Sequence, residues 1–358
     1  MKIGILTFHR AINYGAVLQT FALQQSLQLL GHEVDVIDYL QPRVEKTDRH
    51  TFSFHEKTRL LVSLHLRSWW NYDKEKDKRM KQRKNFDEFL DKYLHLSKSC
   101  NKDNIPKYDV YIIGSDQVWN SRVCEGLDPV FWGDFIHSNN SKVVSYAAST
   151  SVENLKSHNI EEITRLLTNF SAISVREEET CCYINNTYKL KNEAHITLDP
   201  TLLAEKFIWD AIIEKEEENE KNNDYVLYFG ARTCKKRPNV LCEKAYSLAS
   251  QLNCDIRTID FNHDSPSIFV NKIRFAKAIV SSSFHGIAFS LIFNKPLYAL
   301  LYGDEQDKRY GDLLKMIGAE SMLLSISDEI YPKEYDYTHI NRKIDELRKK
   351  SLKYLKSI

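Results

Sequence analysis

The chain opens on a short apolar run, "KIGILTF", which predicts a buried strand over Lys2–Phe8. After the polar loop "HRAINYG", Ala16, Leu23, Leu27 and Leu30 recur at helical spacing, and Gly31 supplies the stop. "EVDVIDYL" predicts a second strand. Strand, loop, helix and strand in this succession make a βαβ unit, which implies a parallel sheet. The rhythm lapses from about Arg43 to Lys107, where charges crowd "YDKEKDKRMKQRKNFDEFLDKYL". Phe86, Leu90 and Leu94 recur there at intervals of four, which predicts an exposed amphipathic helix inside an insertion.

Alternation resumes with "YDVYIIGSDQVWN" and "KVVSYAAST", two apolar strands that run into polar ends. A helix over Glu153–Asn169, the strand-like "AISVREEE" and then "ITLDPTLL" follow. The acidic "DAIIEKEEENEKNND" reads as a helix that ends in a linker. A second series runs from "DYVLYFGA" through "AIVSSS" and "HGIAFSLIF" to "PLYALL", before a charged terminal helix. The pattern divides the chain into residues 1–220 with the insertion at 43–107, residues 221–338, and a terminal helix over 339–358. The expected fold class is α/β, with two Rossmann-like halves whose strand C-termini face a cleft, where such sheets bind ligands.

Composition narrows the function classes. At 358 residues the chain is long enough for two domains and a large core. A net charge of +1 gives no preference for nucleic acid. No apolar run is long enough to span a bilayer, and the start lacks the small residues of a cleavage site, so no signal peptide is expected. The tract "LRSWWNYDKEKDKRMKQRK" allows at most peripheral contact with an anionic membrane and reads more simply as a solvated helix. Seven cysteines form an odd set without a CxxC pair, as expected of reduced thiols in a cytoplasmic protein. Without DxD, HExxH or GxSxG there is no basis for a metal-dependent or serine-hydrolase mechanism, and no metal or cofactor is expected.

The candidate chemistry lies where strands end. In "SSSFHG", a helix beginning near His285 or Gly286 would point free N–H groups at the cleft, with Ser281, Ser282 and Ser283 adding hydroxyls for a phosphate or carboxylate. His285 could then act on an anionic ligand. The same residues also fit an N-cap serine followed by a core histidine. "FGARTCKKR" offers Arg232 and Lys236 as an anion clamp, or simply a solvated basic loop. Arg176 in "SVREE" is either an anion ligand or half of a surface pair with Glu177, and Arg309 is either a ligand or a solvated helix residue. In "GSDQVWN", Asp116 is a candidate acid or base, Gln117 and Asn120 suit sugar hydroxyls, and Trp119 offers a face on which sugars stack. An Asx turn with a core tryptophan fits that stretch as well. "NYGAVLQ" places Asn13, Tyr14 and Gln19 at a helix N-terminus, a weak phosphate-loop signal without GxGxxG or a P-loop lysine.

Taken in order, "NYGAVLQTFAL", "YIIGSDQVWN", "SYAAS", "SVREE", "LDPTLL" and "SSSFHGIAFSLIFNKP" resemble the polysaccharide pyruvyl transferase family. The resemblance runs from residue 3 to about 317 and is least typical in the charged insertion and in "FGARTCKKR". It implies a fold like that of two-domain glycosyltransferases of the B type. It also implies transfer of the enolpyruvyl unit of phosphoenolpyruvate to a sugar of a bacterial surface polysaccharide or its precursor, forming a pyruvate ketal and releasing phosphate. Carried over by position, the SFHG histidine is His285, here expected as general acid, with the preceding serines lining the donor pocket. Arg176, Arg232, Lys236, Arg309 and Gly286 join the donor side. Asp116 is expected as a base toward the acceptor, with Asn13, Tyr14, Gln19, Gln117, Trp119 and Asn120 around it. The implied partners are phosphoenolpyruvate and a sugar that is lipid-linked, nucleotide-linked or polymeric, on the cytoplasmic side of the membrane. Two rivals stay open: a metal-independent glycosyltransferase using a nucleotide-sugar, and a non-catalytic sugar-binding protein.

Overall fold

The computed structural model describes residues 1–43, 66–135, 141–213 and 224–358, with side chains in the helix at 66–93 described from residue 79. The first sheet is parallel in the order β2-β1-β3-β4, with β1 Lys2–Leu6, β2 Glu33–Val36, β3 Val110–Ile113 and β4 Lys142–Ser145. A parallel pair, β5 Ile173–Val175 and β6 Ala194–Ile196, extends its edge through bridges from Val144 to Ala172 and from Ala148 to Val175. The second sheet is parallel in the order β11-β10-β9-β7-β8. Its strands are β7 Tyr225–Phe229, β8 Asp255–Thr258, β9 Ala278–Ser281, β10 Leu297–Leu301 and β11 Leu323–Ser325. Parallel strands are covered on both faces, which is why "VYII" and "AIVS" are apolar throughout and buried throughout.

In chain order the helices of the first sheet's half are α1 Tyr14–Leu29, α2 Leu66–Tyr93, α3 Ser121–Cys124, α4 Val152–Lys156, α5 Ile160–Leu167, α6 Glu178–Thr187, α7 Pro200–Leu203 and α8 Lys206–Asp210. Those that follow are α9 Val240–Leu252, α10 Pro266–Phe275, α11 Phe284–Ile292, α12 Lys308–Met316 and α13 Tyr337–Lys356.

Two expectations need revision. The single helix expected over 153–169 is α4 and α5, because Asn159 starts a new helix by accepting from the Glu161 and Glu162 amides. The amphipathic helix of the insertion exists as α2, but its apolar face is covered. Phe86, Phe89 and Leu90 are buried, with Phe86 5.1 Å from Tyr14 and Phe89 6.0 Å from Phe21 between ring centres. The terminal helix packs onto the first half. In α13, the Tyr354 hydroxyl donates to the Ser145 carbonyl at 2.8 Å, and Ser351 Oγ accepts from the Leu198 amide at 2.9 Å. The expected linker falls at 214–223 and the start of the insertion at 44–65, both outside the described residues.

One apolar cluster runs from Ile3 and Ile5 of the first sheet, through α1, to Leu227 and Ile279 of the second. Trp209 sits inside it, 4.7 Å from Phe289 and 5.9 Å from Phe21. The two sheets therefore share a packed layer, which fixes the strand ends of one half against those of the other. Among the described residues no helix is long and apolar enough to cross a membrane.

Candidate active site

β9 ends at Ser281, and Ser283 caps α11 by accepting from the Gly286 amide at 3.4 Å. His285, in the first turn, therefore projects toward the other half. There it meets the start of α1, whose Asn13 side chain accepts from the Gly15 and Ala16 amides. A Cβ built on Gly15 would stand 1.8 Å from His285 Nδ1, so only glycine admits the imidazole at this place. On its other side, His285 Nε2 lies 3.7 Å from Asp199 Oδ2, beyond hydrogen-bond length, and is buried with no hydrogen-bond partner among the described residues. The histidine of the second half is thus held between two residues of the first.

Asp199 follows β6 and caps α7, its Oδ1 accepting from the Thr201 amide at 3.0 Å and the Thr201 hydroxyl at 2.7 Å. Pro200 fits as the first helical residue, since its missing N–H has no role there. Oδ2 of Asp199 accepts from Arg176 Nη1 at 2.7 Å. Arg176, just past β5, also donates Nη2 to Ser149 Oγ at 3.0 Å and Nε to Glu177 Oε1 at 3.1 Å. Ser149 Oγ in turn donates to Glu177 Oε1 at 2.6 Å, and the guanidinium lies 4.3 Å from the Phe284 ring centre. Burial alone would raise the Asp199 carboxyl, but His285, Arg176 and Thr201 hold it well below the usual carboxylate range. Burial works against the Arg176 charge too, yet Glu177, Asp199 and Asp116 keep that guanidinium protonated more firmly than usual.

Arg309, on α12, is half-buried and has no hydrogen bond or ion pair among the described residues. Burial and the positive charge of Arg176 push its guanidinium down from its ordinary value. A cavity of about 180 Å³ is lined by Arg176, Glu177, Asp199, Phe284 and Arg309, with Leu313 and Leu347 among its apolar walls. His285 is not itself on this lining but stands 3.7 Å behind it at Asp199, so an imidazole, a carboxylate and two guanidinia lie in succession. Such a set can hold an anion and deliver a proton to it.

The structure does not bring every expected residue here. Trp119 is not a sugar platform: it is 1% exposed, stacks 4.8 Å from Trp132, and donates its indole N–H to the Phe131 carbonyl at 2.8 Å. Tyr14 stacks 4.7 Å from Phe269 and donates to the Asp264 carbonyl, so it joins the two halves instead of facing a ligand. Gln19 is fully buried, its amide bonded to Thr7 and to the Ala16 carbonyl. Arg232 is taken by Asp304 and Asp307 and lies over Tyr302, and Lys236 is exposed away from these contacts. The three serines hold the turn: Ser281 donates to the Phe229 carbonyl, Ser282 to the Tyr302 hydroxyl, and Ser283 is the cap. Gly286 is required because a Cβ would come 2.5 Å from Ser281 Oγ. Asn13 and Asn120 are helix caps, and Gln117 accepts from Asn120 at 2.8 Å. Asp116 is half-buried in the left-handed region, φ 68°, and accepts from the Gln117 amide at 2.8 Å. Its charge acts on both Arg176 and Arg309.

Asp199, Ser149, Glu177 and Gly15 were not among the expected site residues. An Asp-Pro pair directly after a strand was the visible signal for Asp199, and the glycine of "NYG" the signal for Gly15. Gly15→Ala is expected to displace the imidazole and lower turnover about 100-fold, the usual cost of a misplacement near 1 Å. Steady-state kinetics beside a thermal melt would separate this from loss of fold.

Comparison with known proteins supplies the family. A profile described as polysaccharide pyruvyl transferase matches residues 13–304, most of the chain. The chain belongs to the polysaccharide pyruvyl transferase family. Its members are transferases, and the matched segment contains Gly15, Asp116, Ser149, Arg176, Glu177, Asp199 and His285, whereas Arg309, Leu313 and Leu347 lie beyond it. No relative among the curated proteins matches. Among solved structures, the UDP-GlcNAc 2-epimerase of Methanocaldococcus jannaschii is similar at 12% identity, covering 96% of this chain and 92% of its own, with a TM-score of 0.44. The glycosyltransferase SnogD from Streptomyces nogalater is similar at 11% identity, covering 98% of this chain and 95% of its own, with a TM-score of 0.42.

Proposed function

We propose that the protein transfers the pyruvyl unit of phosphoenolpyruvate to a sugar of a bacterial surface polysaccharide or its precursor, closing a cyclic ketal and releasing phosphate. The observation that carries this reading is the pairing of two guanidinia on one cavity with a histidine whose Nε2 is free. Arg176 is ion-paired with Asp199 and Glu177, whereas Arg309, although Glu177 and Asp116 act on its charge, makes no ion pair among the described residues. Arg309 therefore takes the carboxylate or phosphate of the donor, with Arg176 beside it. His285, beside Asp199, acts as the general acid that gives a proton to the methylene carbon and leaves an oxocarbenium-like centre at C2. One sugar hydroxyl adds there and passes its proton to a carboxylate of the site. The bond from C2 to the phosphate oxygen then breaks, a second hydroxyl adds, and its proton leaves with the phosphate. Asp116 lies on the acceptor side, at the end of β3, with Gln117 and Asn120 next to it.

This chemistry asks for no metal. The acceptor is a sugar on a nucleotide, lipid or polymer carrier, met at the cytoplasmic side of the membrane. Phosphate release from phosphoenolpyruvate, measured over a panel of free and nucleotide-linked sugars, tests the proposal. Phosphate together with an acid-labile pyruvate in the product is the expected result. Release of a nucleoside diphosphate from a nucleotide-sugar, with phosphoenolpyruvate untouched, would overturn it in favour of glycosyl transfer.

A further inference from the structure

Glu177 carries an atom for which the protein has no use. Its Oε1 accepts from both Ser149 and Arg176, which fixes the carboxylate in one orientation. Its Oε2 is buried, has no hydrogen-bond partner, and belongs to a side chain that lines the cavity shared with Arg309. Buried carboxylate oxygens are costly to leave unpaired, so such an atom on a side chain that lines a cavity points to a ligand that donates to it on binding. A role as counter-ion to Arg176 does not account for it, because Oε1 and Asp199 already meet that need.

Resting on the proposed pyruvyl transfer, we infer that Glu177 binds the first attacking hydroxyl of the acceptor through Oε2 and takes its proton. Phosphoenolpyruvate is excluded from this corner by its chemistry: a fully ionised donor has no O–H to give and would be repelled by a carboxylate. A neutral sugar hydroxyl has the proton that Oε2 lacks. The atoms balance: the proton of His285 goes to the methylene carbon, and the hydroxyl oxygen forms its bond to C2. The proton of that hydroxyl passes to Glu177, and the phosphate leaves only in the following step. The two carboxylates divide the acceptor. Glu177 takes the first hydroxyl, and Asp116, whose Oδ1 is already engaged by the Gln117 amide, orients the second.

The test uses the full chain, phosphoenolpyruvate, and water as the hydroxyl, so that no acceptor need be identified. Glu177→Gln keeps an oxygen for Ser149 and Arg176 but accepts no proton at this site. Its phosphate release is expected to fall by about 100-fold or more while phosphoenolpyruvate still stabilises it against heat, with a dissociation constant within about twofold of wild type. An undiminished rate would overturn the inference, and so would loss of phosphoenolpyruvate binding, which would make Glu177 a support for the donor site. A wild type that binds no phosphoenolpyruvate would overturn the pyruvyl reading itself, and this inference with it. Should wild type bind the donor without releasing phosphate to water, crystals of that complex soaked in ethylene glycol decide. A glycol hydroxyl on Oε2 sustains the inference, and an Oε2 bonded only to protein removes it.

Discussion

His285→Ala is expected to lower pyruvyl transfer by about 10²–10⁴-fold while leaving phosphoenolpyruvate binding largely intact. The imidazole is the group positioned to give a proton, with Nε2 free and Asp199 3.7 Å away to support the charged ring. The cations proposed to hold the donor are separate residues, Arg176 and Arg309, and neither loses a hydrogen-bond partner when the ring is removed. The effect should therefore appear in kcat, with KM for the donor almost unchanged. Steady-state kinetics with a donor-dependent melt checks both halves of this statement. A variant that transfers normally would remove His285 from the chemistry, and one that no longer binds the donor would make it an anion ligand.

Arg176→Met is expected to destabilise the protein by about 3–5 kcal/mol, because it leaves carboxylates buried without their counter-charge. Asp199 is fully buried, and Glu177 is nearly so. Replacing the partner as well should recover much of the loss, so Arg176→Met combined with Asp199→Asn should be more stable than Arg176→Met alone. The pH dependence has a definite sign. The Asp199 carboxyl is held below its ordinary value in the folded protein, so its ion pair contributes stability above the unfolded pKa of about 3.9. That contribution is lost as pH falls through the lower, folded value. Denaturant melts of wild type and Asp199→Asn should thus differ by a constant amount from pH 7 to about pH 5 and converge only below about pH 4. Convergence already near neutrality would mean that Asp199 is not held in this way.

The strands and the βαβ succession were legible in the chain because each buried parallel strand is a local apolar run between polar loops, as "VYII" and "AIVS" are. His285 and Arg176 were legible for the same reason, as polar residues placed where strands end. Asp199 was hidden because an aspartate before a proline is also an ordinary helix cap. Its bond to Arg176 spans 23 residues, and its approach to His285 joins the two halves. Trp119 misled because an indole suits a sugar or a core equally, and the deciding partner, Trp132, stands on the far side of a loop. Arg232 looked free for a similar reason: Asp304 and Asp307, which hold it, come 72 and 75 residues later. Local pattern marked where polar side chains stand at strand ends, whereas which of them remain unpaired depended on tertiary packing.

The most direct test of pyruvyl transfer is the thermal stability of the intact protein with phosphoenolpyruvate and, separately, with a panel of nucleotide-sugars. A ligand present at 100 times its dissociation constant adds about 2.7 kcal/mol, a readily measured shift. Stabilisation by phosphoenolpyruvate, weakened in Arg309→Gln, is the result predicted from the unpaired guanidinium beside Arg176. Stabilisation by a nucleotide-sugar alone, with no response to phosphoenolpyruvate before or after that sugar is added, would contradict it.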